Sequence, residues 1–458
     1  MRELPSYLHI GYARDIEPST LRRLYRLLEI FPGAIAWLTL ALMVVASAVF
    51  PVGAAIFIIA FDTYWLFKTI FLSLHLRVAF TATRKNQKID WFEKLRELPR
   101  ERYSLSVASW RDLWHVVILP FYKEGIEVVQ PTVEAIARAG YPKERLMVVL
   151  AQEERAGAEG EIVTNQILKE FAGRFFKLFS VVHPKDIPGE MAGKGSNIAW
   201  AAKRVKEEID GLGIPYENVI VSAFDIDTIV PKSFFGRLAY LYLTTPNPTR
   251  ASFQPIPLYV NNIWEAPALA RVISFSATFW HMMQQERSDR ATTFSSHSMS
   301  FKALEEVGFW QKNMVNEDSR IFWQCFLYYN GDYRVVPMHY PVYMDANVGP
   351  TFLKTMAQQY KQQRRWGYGV ENIPYFLFGF LKNKAIPFFK KLRWSFLIVE
   401  SFHSWATNAL LIFVLGWLPL ALGGDAFNAT LLAYNLPRLT RWIMTAAMVG
   451  MVTSAYLT

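Results

Sequence analysis

Cysteine is almost absent from this chain of 458 residues, which contains Cys325 alone. No intrachain disulfide can form, and no cysteine–histidine cluster is available for a zinc site. The chain also lacks a dense block of lysine and arginine, which argues against nucleic acid as a partner although the net charge is +10. The composition therefore excludes disulfide-rich scaffolds and the common nucleic-acid-binding modules.

The N-terminus lacks the early apolar core of a cleavable signal peptide. It carries five arginines instead, namely Arg2, Arg14, Arg22, Arg23 and Arg26. Positive charge next to a membrane span tends to stay in the cytoplasm. Residues 1–30 are therefore predicted to form a basic cytosolic segment.

Apolar residues are abundant: the hydrophobic fraction is 52%, aromatic residues make up 15%, and the mean hydropathy is +0.12. These values are high for a soluble protein and low for a pure membrane channel. They are typical of a soluble domain joined to a few membrane spans. Anionic lipid and a phosphate-bearing ligand would both suit the high isoelectric point, near 9.4.

The first long uncharged stretch runs from Ile30 to Phe61. A span needs about 20 apolar residues, so this stretch is too long for one helix and short for two. Pro51 punctuates it, and we predict a hairpin over residues 31–76 with helices at 31–50 and 52–74.

The second helix of this hairpin would contain Asp62 and Lys68. Ionisable side chains within a span usually face protein or a cavity, but a local structural pair near the interface is an equal alternative.

Apolar character returns near the C-terminus. Residues 349–392 are basic and aromatic, which predicts helices lying in the membrane interface. Residues 393–458 are predicted to hold C-terminal spans: one from Trp394 to Leu422, with Glu400 and His403 near its start, and another that begins at Trp442. Because the last run reaches Thr458 without a flanking charge, we expect this set of spans to be incomplete.

The middle of the chain has a different pattern. After a charged segment at 77–113, predicted to be a surface linker, short apolar runs alternate with helical periodicity over 114–348. This alternation predicts βαβ units and an α/β domain with a largely parallel sheet. Ligands then bind beyond the carboxyl ends of the strands.

Two aspartates follow the apolar run Val219–Phe224, and they lie at such a strand end. In an extended segment the side chains of Asp225 and Asp227 would point the same way. Paired carboxylates suit Mg²⁺ or Mn²⁺, with substrate phosphates completing the shell. The same residues also resemble the nucleophile loop of haloacid-dehalogenase phosphatases, and a structural turn is the remaining alternative.

A second acidic pair, Glu317-Asp318, precedes a helical pattern that begins at Ile321. Acidic residues at a helix start can satisfy free backbone amides and the helix dipole. A carboxylate here could equally act as a general base.

A third motif places Gln362, Arg365 and Trp366 on one helical face. Arginine can pair with a diphosphate through two hydrogen bonds, and tryptophan can stack on a sugar ring. The alternative is an interfacial helix with snorkelling arginines and an anchoring tryptophan.

The order of these three motifs resembles the membrane-bound, inverting family 2 glycosyltransferases, the group that includes cellulose, hyaluronan and chitin synthases. The resemblance implies a GT-A-like domain, a Mg²⁺ or Mn²⁺ ion at Asp225 and Asp227, and Asp318 as the base. It also implies acceptor contacts from Trp366 and Glu317. Asn316 stands where the family often has threonine.

The resemblance extends upstream of these motifs. Pro120-Phe-Tyr-Lys-Glu124 is similar to the first-strand segment of the family, with Lys123 in place of asparagine. It implies that Tyr122 and Glu124 border the nucleotide. Gly193-Lys-Gly-Ser-Asn197 is similar to a glycine loop of the family, and Lys194 would then add positive charge beside the phosphates, although a plain helix start is an alternative.

After the second strand the family usually has an acidic pair that reads the base. Here the sequence continues Gln152-Glu-Glu-Arg155, so Glu153 or Glu154 could substitute. The donor would bind through Tyr122, Glu124, Glu153, Lys194, Asp225, Gln362 and Arg365.

Lone polar residues give weaker signals. His339 could complete a metal shell, but His339, His297 and Cys325 are more typical of structural positions.

The sequence thus predicts a multi-pass membrane protein with a cytosolic domain. Its partners would be a nucleotide-diphospho-sugar donor, a saccharide or lipid acceptor, and membrane lipid. The hypotheses are a processive polysaccharide synthase that also passes its product across the membrane, a non-processive transferase with a lipid acceptor, and a catalytically silent nucleotide-binding scaffold.

Overall fold

The computed structural model describes residues 4–413 and 415–457 and divides the chain into two compact units. The first, here called the α/β unit, comprises Met1–Gly11 and Ala82–Pro387. The second, here called the helical unit, comprises Tyr12–Thr81 and Phe388–Thr458. Each unit is described by itself.

The strands belong to the α/β unit: β1 Trp114–Phe121, β2 Leu146–Glu153, β3 Lys177–His183, β4 Val219–Ala223, β5 Ala251–Tyr259, β6 Ser298–Ser300 and β7 Arg334–Met344. The first α-helices in chain order are α1 Ser19–Val49, α2 Pro51–Gln87, α3 Trp91–Glu97, α4 Ile126–Ala137, α5 Gly157–Glu170, α6 Lys194–Gly211, α7 Phe234–Thr244 and α8 Ala268–Gln284. The remainder are α9 Phe301–Glu306, α10 Glu317–Tyr328, α11 Phe352–Gly367, α12 Asn372–Lys382, α13 Phe388–Phe413, α14 Leu418–Leu422, α15 Gly424–Asn428 and α16 Leu431–Leu457. Short 3-10 helices include Ser6–His9 and Tyr368–Glu371.

The strands form one mixed sheet in the order β3-β2-β1-β4-β6-β5-β7. The β3-β2-β1-β4 half is parallel, β6 runs antiparallel to both of its neighbours, and β5 is parallel to β7. Strands β1, β2 and β4 are buried along their whole length because helices cover both faces of a parallel sheet. The expected α/β class with a largely parallel, GT-A-like sheet is confirmed.

Residues 77–113, which the sequence predicts to be a surface linker, differ from that prediction. Helix α2 continues to Gln87, and the segment after it forms α3. Trp91, Leu95 and Trp110 from this segment are buried in the same apolar core as β1. Because charged residues separate these apolar positions, the segment shows no long apolar run, and its burial was not predicted from the sequence.

Helix α12, which the sequence places in the membrane interface, is instead packed inside the α/β unit. Its aromatic residues Tyr375, Phe376 and Phe380 are buried. The ring of Phe376 stacks on that of Trp323 in α10, with 4.5 Å between centroids. The aromatic character of this helix therefore serves protein packing, which corrects the sequence prediction for residues 372–382.

The helical unit contains candidate membrane spans, but the predicted span Trp394–Leu422 is divided, since α13 ends at Phe413 and α14 is a separate short helix. Among the described residues, three helices are long and apolar enough to cross a membrane: Ser19–Val49, Pro51–Gln87 and Phe388–Phe413. Helix α1 ends and α2 begins around Phe50 and Pro51, as the proline predicts, although both helices are longer than expected. The apolar run from Trp442 lies in α16, and Thr458 lies outside the described residues.

Polar side chains meet between helices of this unit. The Lys68 ammonium of α2 donates a hydrogen bond to the Glu400 carboxylate of α13 at 3.0 Å. The Thr39 hydroxyl of α1 lies 2.9 Å from His403 Nε2, also on α13. Lys68 thus pairs across to another helix, and Asp62 is a separate buried carboxyl group.

Candidate active site

The two aspartates after β4 lie on a turn, and the extended geometry expected for them is wrong. The Thr228 amide donates to the Asp225 carbonyl oxygen at 3.0 Å and closes the turn. Ile226, between the two aspartates, is buried, and the Thr132 hydroxyl donates to its carbonyl oxygen at 2.6 Å. Packing of Ile226 therefore fixes the turn that presents Asp225 and Asp227.

Lys194 connects this turn to the start of α6. Its ammonium donates to the Asp225 carboxylate, and the Ser295 hydroxyl donates to the other oxygen of that carboxylate. Burial alone would raise the pKa of Asp225, but the charge of Lys194 and these hydrogen bonds hold the pKa below its ordinary value. Asp225 is therefore ionised at neutral pH.

Asp227 has different surroundings. Its carboxylate accepts a hydrogen bond from the Asp345 amide at 3.1 Å, and its carbonyl oxygen accepts one from the Asn261 side chain at 3.2 Å. Burial and the charge of Asp225 raise the pKa of Asp227 to about 7. A divalent cation shared by both carboxylates would favour their ionised forms, since it cancels the repulsion between them.

Two carboxylates are a small ligand set for a metal. Within residues 4–413 and 415–457, no group of three or more histidine, cysteine, aspartate or glutamate side chains is placed to hold an ion. Mg²⁺ and Mn²⁺ are commonly held by one or two carboxylates together with substrate phosphates. Asp225 and Asp227 fit a cation of this kind, which phosphate oxygens of a substrate would help to hold.

The second acidic pair opens α10. Asp318 is partly exposed, and its carboxylate accepts a hydrogen bond from the Ser319 amide at 2.7 Å. Burial raises the pKa of Asp318 above its ordinary value, although the positive charges of Lys194 and Arg365 oppose this shift. Lys194 thus acts electrostatically on both the aspartate turn and Asp318.

Glu317 points into the protein. It is 4% exposed, and burial together with the charge of Asp318 raises its pKa to about 8. A Cβ built at Gly195 would lie 3.1 Å from the Cβ of Glu317, so α6 and α10 approach closely here. The acceptor contact predicted for Glu317 remains a prediction, and its surroundings are those of an interior side chain.

The helix α11 brings the third motif to the same place. The Asn316 side chain, just before α10, donates to the Arg365 carbonyl oxygen at 3.2 Å. The Glu371 carboxylate, just after α11, accepts hydrogen bonds from the Val315 and Asn316 amides at 3.1 and 3.4 Å. Gln362 and Trp366 lie on this helix with half-buried side chains.

The residues predicted to border the nucleotide form a second cluster, at the ends of β1 and β2. Arg155 pairs with the Glu153 carboxylate and lies over the Tyr122 ring, 4.9 Å from its centroid. Glu124 accepts hydrogen bonds from the Tyr122 and Lys123 amides at 2.7 and 3.1 Å, so it fixes the loop after β1. Of the two candidate glutamates, Glu153 joins this cluster through Arg155, whereas the Glu154 carboxylate accepts a hydrogen bond from the Lys185 amide at 2.8 Å.

The lone histidines have structural partners. His339 Nε2 lies 2.8 Å from the Glu286 carboxylate, and His297 Nδ1 lies 3.0 Å from the Phe294 carbonyl oxygen. Burial lowers the pKa of His297 to about 4, so this imidazole is neutral. Cys325 is buried in α10.

The structure adds residues that the sequence reading missed, above all Ser295 and Arg320. Ser295 precedes β6, a strand of only three residues. Such a strand is too short to show the alternation of apolar and polar residues by which strands are recognised in a sequence. In the sequence, Arg320 is indistinguishable from an exposed helical arginine. Its hydrogen-bond acceptors, Asn372 and Ile10, lie in distant segments that no local pattern connects to it.

Comparison with known proteins identifies the family. The family model described as glycosyl transferase family group 2 matches residues 220–455. The chain belongs to this family. The match includes Asp225, Asp227, Asp318 and the α11 motif, and the protein is therefore a glycosyltransferase.

Solved structures that are similar to this glycosyltransferase include two with a bound nucleotide. One is a mannosyltransferase, PcManGT from Pyrobaculum calidifontis, in complex with GDP-Man and Mn²⁺: 15% identity, TM-score 0.43, 84% of this chain and 99% of that chain covered. The other is S. aureus TarS 1–349 in complex with UDP: 12% identity, TM-score 0.41, 75% of this chain and 90% of that chain covered. No curated protein matches the chain in sequence.

Proposed function

We propose that this glycosyltransferase moves a sugar from a nucleotide-diphospho-sugar, with UDP as the carrier, to a growing polysaccharide. The observation that carries the proposal is the position of Lys194, which pairs with Asp225 and acts electrostatically on Asp318. The acidic groups after β4 and at the start of α10 thereby meet a cationic group at one site. The mannosyltransferase and TarS structures were solved with GDP-Man and UDP, which is consistent with a donor of this class.

The roles of the residues follow from their charges. Asp318 takes the proton from the acceptor hydroxyl as that oxygen bonds to the anomeric carbon. The bond from this carbon to the diphosphate oxygen breaks in the same step, so a single displacement inverts the configuration. Lys194 and Arg365 offset the charge on the departing diphosphate. A divalent cation at Asp225 and Asp227, when bound, would add Lewis-acid stabilisation of that charge.

Tyr122, Glu124 and Glu153 are proposed to border the nucleoside. The stacking of Arg155 on Tyr122 and its pairing with Glu153 give this cluster a fixed shape. Gln362 and Arg365 would contact the donor from α11, while Trp366 stacks on the acceptor sugar. The hydrogen bond from the Asn316 side chain to the Arg365 carbonyl oxygen holds α11 at the start of α10, which supports these roles beside Asp318.

The α/β unit is proposed to lie at the cytosolic face of a membrane. Helices α8 and α11 contact each other and expose apolar side chains toward solvent: Trp264, Leu269, Val272, Phe275 and Trp280 on or next to α8, and Phe352, Leu353 and Tyr360 on α11. Exposed aromatic and aliphatic side chains next to arginines suit the lipid interface. The candidate spans α2 and α13 adjoin this unit in sequence on both sides.

A second candidate is transfer to a lipid acceptor without polymerisation. The observation that favours it is that α11 carries both Trp366 and the exposed apolar residues Phe352 and Leu353. A lipid-linked acceptor could then reach the site from the bilayer. Translocation of a polymer through the helical unit belongs to the first candidate, with Glu400 and His403 beside its path.

The test is incubation of the purified protein in detergent or lipid discs with a panel of labelled nucleotide-sugars, with Mn²⁺ or with EDTA. Metal-dependent release of nucleoside diphosphate from one of these nucleotide-sugars supports the proposal. A ladder of saccharide products indicates polymerisation, and one labelled lipid indicates the second candidate. Binding without turnover would identify a silent scaffold and contradict both.

A further inference from the structure

The N-terminal segment Leu4–Gly11, here called the arm, is part of the α/β unit. From the sequence, residues 1–30, which include the arm, are predicted to form a basic cytosolic segment. In the structure Leu8 is fully buried and Ile10 is 7% exposed. The loop before α10 also fits closely around the arm, since a Cβ at Gly308 would lie 2.9 Å from Leu4 Cδ1. The arm is therefore docked rather than loose.

Backbone carbonyl groups of the arm accept hydrogen bonds from the rest of the unit. The Tyr375 hydroxyl donates to the Leu8 oxygen at 3.1 Å, and Arg320 Nη1 donates to the Ile10 oxygen at 3.3 Å. The arm continues directly into Tyr12, the first residue of the helical unit. The chain that leads into the first candidate span thus contributes acceptors to the interior of the α/β unit.

Arg320 is the centre of these contacts and is completely buried. Its Nε donates to the Asn372 side chain at 2.7 Å, and its Nη2 donates to the Glu371 carbonyl oxygen at 3.1 Å. Its Nη1 also donates to the Gln311 side chain at 2.8 Å. The guanidinium lies over the Tyr375 ring, 3.9 Å from its centroid.

The network continues from Arg320 to the proposed base. Asn372 donates to the Ser319 hydroxyl at 2.9 Å, and the Ser319 amide donates to Asp318 at 2.7 Å. Glu371 holds the Val315 and Asn316 amides just before α10, and the charge of Arg320 acts on its carboxylate. Arg320 therefore supports the first turn of α10, which carries Asp318, through Asn372 and Ser319, and the residues just before it through Glu371.

We propose that Arg320 is a positioning residue through which the docked arm holds Asp318 in place for transfer. Arm docking is then required for sugar transfer and not for donor binding. The inference rests on the proposed function, in which Asp318 is the base.

The reason lies in the geometry of the guanidinium. Arginine supplies five N–H donors in one plane, and the Ile10 carbonyl oxygen of the arm accepts a hydrogen bond from one of them. Loss of the arm would leave that buried donor without its acceptor, and Arg320 would shift toward water or another acceptor. Asn372 and Ser319 would shift with it, and the Asp318 carboxylate would move away from the acceptor hydroxyl. A misplacement of about 1 Å costs roughly 100-fold in rate.

The experiment compares three variants of the full chain. Arg320→Lys keeps the positive charge and removes the planar guanidinium. Leu8→Asp should release the arm, because a docked arm would bury the new carboxylate. Tyr375→Phe removes one hydrogen bond to the arm and keeps the aromatic ring. Arg237→Lys is the matched control. Arg237 is also buried, donates to the Met338 carbonyl oxygen at 3.0 Å and lies over the Trp91 ring, so these two interactions are made outside the arm.

The measurements are kcat, donor KM, Mn²⁺-dependent nucleoside diphosphate binding and the thermal midpoint, each per folded protein. We expect Arg320→Lys and Leu8→Asp to lower kcat about 100-fold with donor KM and diphosphate binding within about twofold of wild type. Tyr375→Phe should lower kcat less, in the same direction. Arg237→Lys should lower the thermal midpoint and leave kcat unchanged.

A double variant separates positioning from simple destabilisation. Because both changes break one network, Arg320→Lys with Leu8→Asp should lower kcat no further than the stronger single variant. Multiplied effects, a parallel loss of diphosphate binding, or an equal kcat loss in Arg237→Lys would overturn the inference, as would a normal kcat in every arm variant. A wild-type protein without nucleotide-sugar turnover would instead overturn the proposed function, and the inference with it.

Discussion

Among single residues, Lys194 has the widest influence on the site. It pairs with Asp225, and its charge also acts on Glu317 and Asp318. The ammonium therefore keeps a cluster of carboxyl groups together before any donor arrives. A diphosphate with its cation would compete with the Lys194–Asp225 pair, so donor binding is expected to separate these two side chains.

The base assignment is tested by Asp318→Asn, which keeps the size of the side chain and removes the proton acceptor. Glycosyl transfer should fall by about 10²–10⁴-fold, as is typical when a general base is lost, while donor binding persists. Initial rates with labelled donor measure the first quantity, and equilibrium titration measures the second. The control is Asp332→Asn, an exposed carboxylate paired with Arg250. Turnover close to wild type in Asp318→Asn would rule out this residue as the base.

The metal assignment is tested by Asp227→Ala. This variant should weaken Mn²⁺-dependent binding of nucleoside diphosphate more than binding of the free nucleoside, since only the former uses the cation. Calorimetry with and without EDTA checks this expectation. Activity that persists in EDTA would contradict a metal role, and a phosphoaspartate trapped at Asp225 would favour the phosphatase-like alternative.

The pH dependence follows from the raised pKa of Asp318. Burial disfavours the ionised carboxylate, so the base form is lost at a higher pH than for an ordinary aspartate near 3.9. As the pH is lowered, kcat at saturating donor should therefore begin to fall at a pH above that ordinary pKa. Arg365→Gln removes a charge that favours the ionised form, and it should move this acid limb to higher pH. An unmoved limb in that variant would show that another group controls the rate.

Sequence patterns identified the acidic residues and the α11 motif, since each stands at a recognisable spacing. They did not identify Ser295, Arg320 or the burial of Glu317. Those depend on contacts between segments far apart in the chain, such as Arg320 with Ile10, which no local pattern encodes.

At the level of elements, the site depends on how closely α6 approaches α10. Strand β4 and helices α6, α10 and α11 each contribute one functional segment. The sequence predicted the α/β alternation, the strand before Asp225 and the helix after Asp318, because their apolar periods are strong. It missed α3 and misplaced α12, where the same aromatic residues suit either lipid or a protein core.

The contact between these helices is tested by Gly195→Val. Its Cβ would lie 3.1 Å from Glu317 Cβ and from the Gln311 carbonyl oxygen, so a larger side chain must push α6 away from α10. We expect a loss of about 1–3 kcal/mol of stability and a lower kcat. Gly211→Val is the control, because a Cβ there, at the other end of α6, meets no atom within 4 Å. Equal effects of the two substitutions, in thermal melts and rates, would show that the close approach is unimportant.

For the whole molecule, topology connects the structure to the substrate pool. Arg2 and Arg14 precede α1, and Arg22, Arg23 and Arg26 lie in its first turns. Two candidate spans then return the chain to the side where it began. The α/β unit should then face the cytosol, where nucleotide-sugars are made available. Arg438 and Arg441 would follow the third span on the outer side, against the usual bias. Both lie inside α16, so they do not mark an interfacial turn.

Cysteine labelling in a Cys325→Ser background tests this topology. Ser104→Cys and Asn428→Cys place single thiols at exposed positions in the two units. On intact cells an impermeant maleimide should modify only position 428, and lysed cells should show modification at both. Labelling at position 104 on intact cells would reverse the topology and remove the α/β unit from the cytosol.

The Lys68–Glu400 pair sets an order of events during synthesis. The two partners are 332 residues apart, and almost the entire α/β unit is translated between them. At about 5–20 residues per second, the ribosome needs roughly 15–70 s to deliver the second partner. The lysine therefore spends that interval in the hairpin without its counter-charge. Quality control of the nascent chain could detect an unpaired lysine in this interval, and Glu400→Gln would make that state permanent.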